Sequence, residues 1–161
     1  MSSDHDMSFM ERAVPWNKGN KIEDFEVGKE FAHHWGKTIG AGDNSLYCTL
    51  TQMYNPIYLN EKYAEAEGHP KCVVSPLLVF NMVLGMSVED LSLNGPFVGI
   101  NKCQFHKPVY EGDTLTSKST VINKRFSESK KGAAIVTWKT QGFNQHNELV
   151  VEYERSNLLL A

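Results

Sequence analysis

The side chains that could move protons, ligate a metal or attack a carbonyl are scattered through these 161 residues rather than clustered. Six histidines stand at His5, His33, His34, His69, His106 and His146. His33 and His34 are neighbours in a strand-like stretch, so their side chains point to opposite faces and at most one faces any pocket. The cysteines, Cys48, Cys72 and Cys103, form no CxxC pair, and their wide separation does not suit a zinc site. Each lies in a segment that reads as buried, where a free thiol is expected to behave as a small hydrophobe. No metal constellation emerges. Gly40-Ala41-Gly42 leads into a helix and is no phosphate-cradling loop. Asp43 reads as a helix N-cap, and Asn55-Pro56 as the turn that ends that helix.

Charge and composition narrow the classes further. Sixteen Lys and Arg against nineteen Asp and Glu leave a net charge of −3, with no basic field for a nucleic-acid backbone. Hydrophobic residues make up 41% and charged residues 22%, an ordinary globular composition that suits one domain over residues 21–161. Residues 1–20 are polar and read as a flexible arm. A membrane-spanning helix needs about 20 apolar residues. The longest apolar stretch, Val73 to Met86, is shorter and contains Ser75, Pro76 and Asn81. The N-terminus lacks the apolar core of a signal peptide, so a cytoplasmic protein is expected.

The elements that must position any site follow from patterning. A strand is predicted over Glu30–Thr38, then a helix from Asp43 and a short helix over EKYAEAEG with Gly68 at its C-terminus. Ser75-Pro76 opens a long helix to about Asp90, where apolar residues occupy nearly every face. Such a helix needs a wrapper. The rest of the chain supplies one in VGINKCQFHKPV, TLTSKSTVINKRF, AAIVTWKTQGFN and ELVVEYERSNLLL, each rich in β-branched and aromatic residues. This order predicts an α+β fold with a curved antiparallel sheet wrapped around a long central apolar helix, the hot-dog architecture.

Several ordered pieces, DFEVGKEF, TIGAGDNSLYCTLT, MYNPIYLNEKYA, VVSPLLVFNMVLGMSVEDLS and KPVYEGDTL, resemble the MaoC-like hydratases and dehydratases of the hot-dog fold. The resemblance runs from about Asp24 to the C-terminus, and the long-helix segment is particularly similar to the mesaconyl-CoA hydratases (β-methylmalyl-CoA dehydratases). KPVYEGDTL is similar to that family's turn between adjacent strands. The resemblance implies a homodimer or higher homo-oligomer acting on an acyl-CoA. It implies addition or removal of water at the double bond of a short enoyl-CoA, with coenzyme A as part of the substrate and no separate cofactor. A catalytically degenerate acyl-thioester-binding protein and a thioesterase are the alternatives.

Hydration of an enoyl thioester needs a base for water, an acid for the α-carbon and donors for the thioester oxygen. The family's GDxNPIH segment supplies the acid–base pair. Laid on it, QMYNPIY places Met53 at the Asp and Tyr58 at the His, while Asn55 and Pro56 match. Methionine transfers no proton, and an unperturbed tyrosine titrates near 10. Tyr58, Asn55 and Asp43 are therefore the catalytic candidates that the resemblance offers. Ser75, Leu77, Met53 and His106 are the substrate-binding ones, with the Leu77 N–H or the Ser75 hydroxyl as oxyanion donor because Pro76 has no N–H. His34 and His106 are the candidate bases among the histidines. Lys124, Arg125, Lys130 and Lys131 read as a solvated hairpin tip, with coenzyme A phosphates as the alternative partner.

Overall fold

The computed structural model describes residues 19–91 and 95–160; the arm predicted over 1–20 lies mostly outside these. Asn20, assigned to that arm, donates from Nδ2 to the Asp90 carbonyl at 2.7 Å. A 3₁₀ turn at Ile22–Asp24 precedes strand β1 (Glu30–Thr38). Then come helices α1 (Ala41–Thr51), α2 (Pro56–Leu59), α3 (Glu61–Ala66) and α4 (Pro76–Leu91). Strands β2 (Phe97–Phe105), β3 (Thr114–Phe126), β4 (Ala133–Phe143) and β5 (Leu149–Leu160) complete the fold.

All five strands form one sheet in the order β1-β3-β4-β5-β2, with every neighbouring pair antiparallel. Alternate residues of β5 (Val151, Tyr153, Arg155, Asn157 and Leu159) are buried, as the two-residue period of a strand requires. They line the face on which α4 lies. Val79, Val83, Met86, Ser87 and Leu91 form the buried stripe of α4 at helical spacing. Ile39, Val74, Val109, Leu115, Val150, Val151 and Tyr153 pack with the first part of that stripe. A second cluster, Ile22, Phe25, Val121, Val136, Trp138 and Leu159, gathers around Leu91.

The sheet packs on the Val79–Val83–Met86 side of α4, as the hot-dog architecture requires, while Leu77, Asn81 and Gly85 on the other side are exposed. One expectation is corrected: KPVYEGDTL is no turn between adjacent strands. β2 is an edge strand and β3 lies beyond β5 and β4, so the segment crosses the end of the sheet. In crossing it pins the approach to α4: Val74 N–H donates to the Val109 carbonyl at 2.8 Å, and Val73 bridges to Tyr110.

Close contact between helix and sheet depends on Gly142 in β4. A Cβ there would stand 2.5 Å from a Val83 methyl and 3.0 Å from Val151. At the other end of α4, His33 is buried, with Nδ1 2.6 Å from an Asp90 carboxylate oxygen and Nε2 2.8 Å from the Ser119 hydroxyl. Ser119 in turn lies 2.8 Å from the Thr140 hydroxyl. With the proton on Nδ1, the imidazole donates to Asp90 and accepts from Ser119. Burial lowers the His33 pKa below 6.5; Asp90 opposes the shift, and Arg155 adds to it.

Two predictions follow from these contacts. Gly142→Ala forces α4 away from the sheet and costs about 1–3 kcal/mol in urea denaturation; a change within a few tenths would contradict the packing. A folded-state His33 pKa below its unfolded value means that the unfolded chain binds the extra proton first. Stability is therefore full above about pH 6.5 and falls below it, down to the folded pKa. His33→Gln flattens that part of the stability–pH curve, and an unchanged slope would exclude His33 as its source.

Candidate active site

The start of α4 is where the candidate residues meet. Val73 N–H donates to the Ile57 carbonyl at 3.1 Å, so α2 and the approach to α4 lie side by side. Pro76 occupies the first helical position and brings no N–H. The Ser75 carbonyl accepts from Leu78 N–H at 2.9 Å and Val79 N–H at 3.1 Å. Ser75 is fully buried, and its hydroxyl donates to the Met53 thioether at 3.7 Å. That contact brings Ser75 and Met53 together and turns the hydroxyl away from service as an oxyanion donor. Leu77 N–H is left as the first backbone donor of the helix without an intrahelical acceptor, where the helix dipole favours developing negative charge.

Tyr58 is half-buried in α2, in the wall of a cleft of about 100 Å³ shared with Asn44, Cys72, Val74 and Glu111. Asn55 is the N-cap of α2: its Oδ1 accepts from Ile57 N–H at 3.2 Å. A second, wider cleft of about 220 Å³ runs between α1 and α4, lined by Leu46, Tyr47, Leu50, Leu78 and Met82, with Lys37 and Asp43 beside it.

Asp43 is not the N-cap. Gly40 holds that position and Asp43 stands at the third helical residue, where its carboxylate accepts from Gly40 N–H at 2.9 Å. The same oxygen lies 3.2 Å from Lys37 Nζ. The Gly40 hydrogen bond and then Lys37 lower the Asp43 pKa, so the group is an ionised helix-terminal charge rather than a poised acid.

Other candidates lie away from this place. His106 pairs with Glu152 at 3.7 Å. Glu152 alternates with the inward-facing Val151 and Tyr153, so the pair sits on the sheet face opposite α4. His34 lies 3.7 Å from Glu89 in the last turns of α4, whose 16 residues span about 24 Å. The basic hairpin is farther still. β3 runs from Thr114, near the crossing segment, to Phe126, a span of about 40 Å. Lys124 is also committed, donating to the Ile22 carbonyl at 2.6 Å.

Two residues of the site escaped the sequence reading. Asn44, one position after Asp43 and buried, bonds to Tyr58 of α2 and to Val73 and Ser75 in the approach to α4. Glu111, from the crossing segment, lines the Tyr58 cleft. Nothing local marks either one; each is placed by a contact across more than ten residues. Among the described residues, no group of three or more His, Cys, Asp and Glu is arranged to hold a metal ion. None of their helices is long and apolar enough to cross a membrane.

The family model for mesaconyl-CoA hydratase matches residues 2–160. The chain belongs to the mesaconyl-CoA hydratase family. It is 36% identical over 141 residues to the mesaconyl-CoA hydratase of Cereibacter sphaeroides, covering 86% of this chain and 40% of that protein. The crystal structure of a MaoC domain protein dehydratase from Chloroflexus aurantiacus superposes with a TM-score of 0.87 at 33% identity. The match covers 92% of this chain and 42% of that one. A Mycobacterium tuberculosis protein with a double hot-dog fold gives a TM-score of 0.81 at 21% identity, over 89% of this chain and 44% of its own. The α+β hot-dog architecture is thus established, and the chain spans about 40% of the length of the curated relative.

Replacing Asn55 by Ala removes the α2 cap and costs about 1 kcal/mol of stability in urea denaturation. A loss under a few tenths would show that the cap does not hold α2 in place.

Proposed function

We propose that this chain binds a short enoyl-CoA at the start of α4 and takes part in adding water to, or removing it from, the acyl double bond. Coenzyme A enters as part of the substrate, and no separate cofactor belongs to this reading. The observation that carries it is the backbone arrangement at Ser75-Pro76-Leu77: one N–H is occupied, one is missing and one is free. That leaves the Leu77 N–H as the donor for a thioester oxygen at the start of α4. Family membership supports the substrate class, and the names of the relatives supply the chemistry.

Hydration places hydroxide on the β-carbon and a proton on the α-carbon. A base removes one proton from water as an acid delivers another, so one water is consumed per double bond. Tyr58 supplies a hydroxyl at the family's His position. Glu111, which lines the Tyr58 cleft, is the carboxylate residue this reading puts in the role that Met53 cannot fill.

A second reading rests on Met53 itself. A thioether that accepts from the buried Ser75 hydroxyl stands where the family has its Asp. On this reading the chain binds the thioester and a further hot-dog unit brings the acid–base pair. Either reading includes a homodimer or larger assembly. Leu46, Leu50 and Tyr54 are 61%, 75% and 63% exposed on or just beyond α1, and the edge strand β2 exposes Phe97 and Val98. A cytoplasmic setting completes the proposal, and the three free thiols suit it.

The test is loss of enoyl-thioester absorbance when the purified chain meets crotonyl-CoA and mesaconyl-CoA. Turnover that falls tenfold or more in Tyr58→Phe supports the hydratase reading, and turnover equal to wild type removes Tyr58 from it. A folded chain that turns over neither substrate, yet melts at a higher temperature with crotonyl-CoA, supports the binding reading. No turnover and no thermal shift would overturn both.

A further inference from the structure

We infer that Asn44 is the positioning residue of the thioester site, because its buried amide holds Val73 and Ser75 just ahead of the first α4 donor, the Leu77 N–H, and ties the Tyr58 backbone to them. The inference rests on the thioester-binding reading above. Asn44 lies in α1 and is 8% exposed. Its Nδ2 donates to the Tyr58 carbonyl at 2.9 Å and to the Val73 carbonyl at 3.1 Å. Its Oδ1 accepts from Ser75 N–H at 2.9 Å and lies 3.8 Å from the Cys48 thiol. Both amide protons and both acceptor positions are engaged, the full capacity of this side chain.

The residue type is costly unless it serves these partners. Asparagine is a weak helix former, and a buried amide is tolerated only when satisfied. An apolar residue of similar size would fill the space and leave the Ser75 N–H and the Tyr58 and Val73 carbonyls unpaired.

The consequence for the site follows from the hydrogen-bond register of a helix. The acceptor that Leu77 N–H would take, were α4 one turn longer, is the carbonyl four residues back, that of Val73. Asn44 donates to that carbonyl and fills one of its two acceptor positions. It also takes the Ser75 N–H, and Pro76 disfavours helical geometry at the residue before it. The helix is therefore held to begin at Pro76, and the first donor at its start is Leu77 N–H. The same amide ties Tyr58 to this point through its carbonyl, so one side chain sets both groups.

The test compares crotonyl-CoA with free coenzyme A by titration calorimetry on the purified chain and on Asn44→Asp. The aspartate keeps an acceptor for Ser75 N–H but presents oxygen to the two carbonyls. The expected result is at least tenfold weaker crotonyl-CoA binding by the variant, with free coenzyme A affinity within twofold of wild type. A merely structural lesion would lower both. A folded Asn44→Asp that keeps the wild-type preference for crotonyl-CoA overturns the inference while leaving the thioester reading intact. Wild type that binds both ligands equally overturns that reading, and the inference with it. If Asn44→Asp does not fold, amide exchange in wild type decides. A Leu77 amide slowed by crotonyl-CoA but not by coenzyme A supports the assignment, and one that neither ligand slows overturns it.

Discussion

The start of α4 is held from three directions by hydrogen bonds that no single element could make. Ile57 of α2 takes the Val73 N–H, Val109 of the crossing segment takes the Val74 N–H, and Asn44 of α1 takes the Ser75 N–H. Three successive backbone donors are thereby paid off before the helix begins, each to a different part of the chain. Buried N–H groups left unpaired would be costly, so the helix start and its three neighbours form one unit. Tyr58 and Glu111 line one cleft, and Met53 meets Ser75, because of this unit and not because of their spacing in the sequence.

The far end of α4 is fastened differently, by side chains. His33 grips Asp90, Trp35 Nε1 donates to Glu89 at 3.0 Å, and Asn20 reaches the Asp90 carbonyl. Beneath this end, Arg155 is buried with its guanidinium over the Trp138 ring at 5.6 Å from the centroid. Burial lowers the Arg155 pKa, and the cation in turn disfavours a second positive charge on His33. The helix thus has a backbone-fixed end, where the thioester carbonyl is proposed to bind, and an end whose hold weakens on acidification. Between the two, contact with the sheet depends on the absence of a side chain at Gly142.

Much of this was legible in the residues. β1 spans Glu30–Thr38 as predicted, and the four later strands fall within the predicted segments to within a residue or so. Alternation, β-branched content and turn glycines carry that information locally. Ser75-Pro76 likewise marks the start of α4. What was not legible depends on pairing at a distance. Strand order decides that KPVYEGDTL crosses the sheet instead of turning between neighbours, and no local signal encodes it. The outward side of His106 follows from the registry of β2 with β5. Asn44 sits beside Asp43, the more conspicuous residue, and its role exists only once Tyr58, Val73 and Ser75 have converged on it. Asp43, two residues inside the helix, spends its charge on Gly40 and Lys37.

The central claim is that a thioester oxygen accepts a hydrogen bond from the start of α4. The most direct measurement is the infrared stretch of a ¹³C-labelled thioester carbonyl in crotonyl-CoA, read free and bound to the wild-type chain. A carbonyl that accepts from Leu77 N–H, near the positive end of the helix dipole, is polarised, and its stretch moves to lower frequency on binding. A bound carbonyl with the frequency seen in solution, or a higher one, would contradict the account.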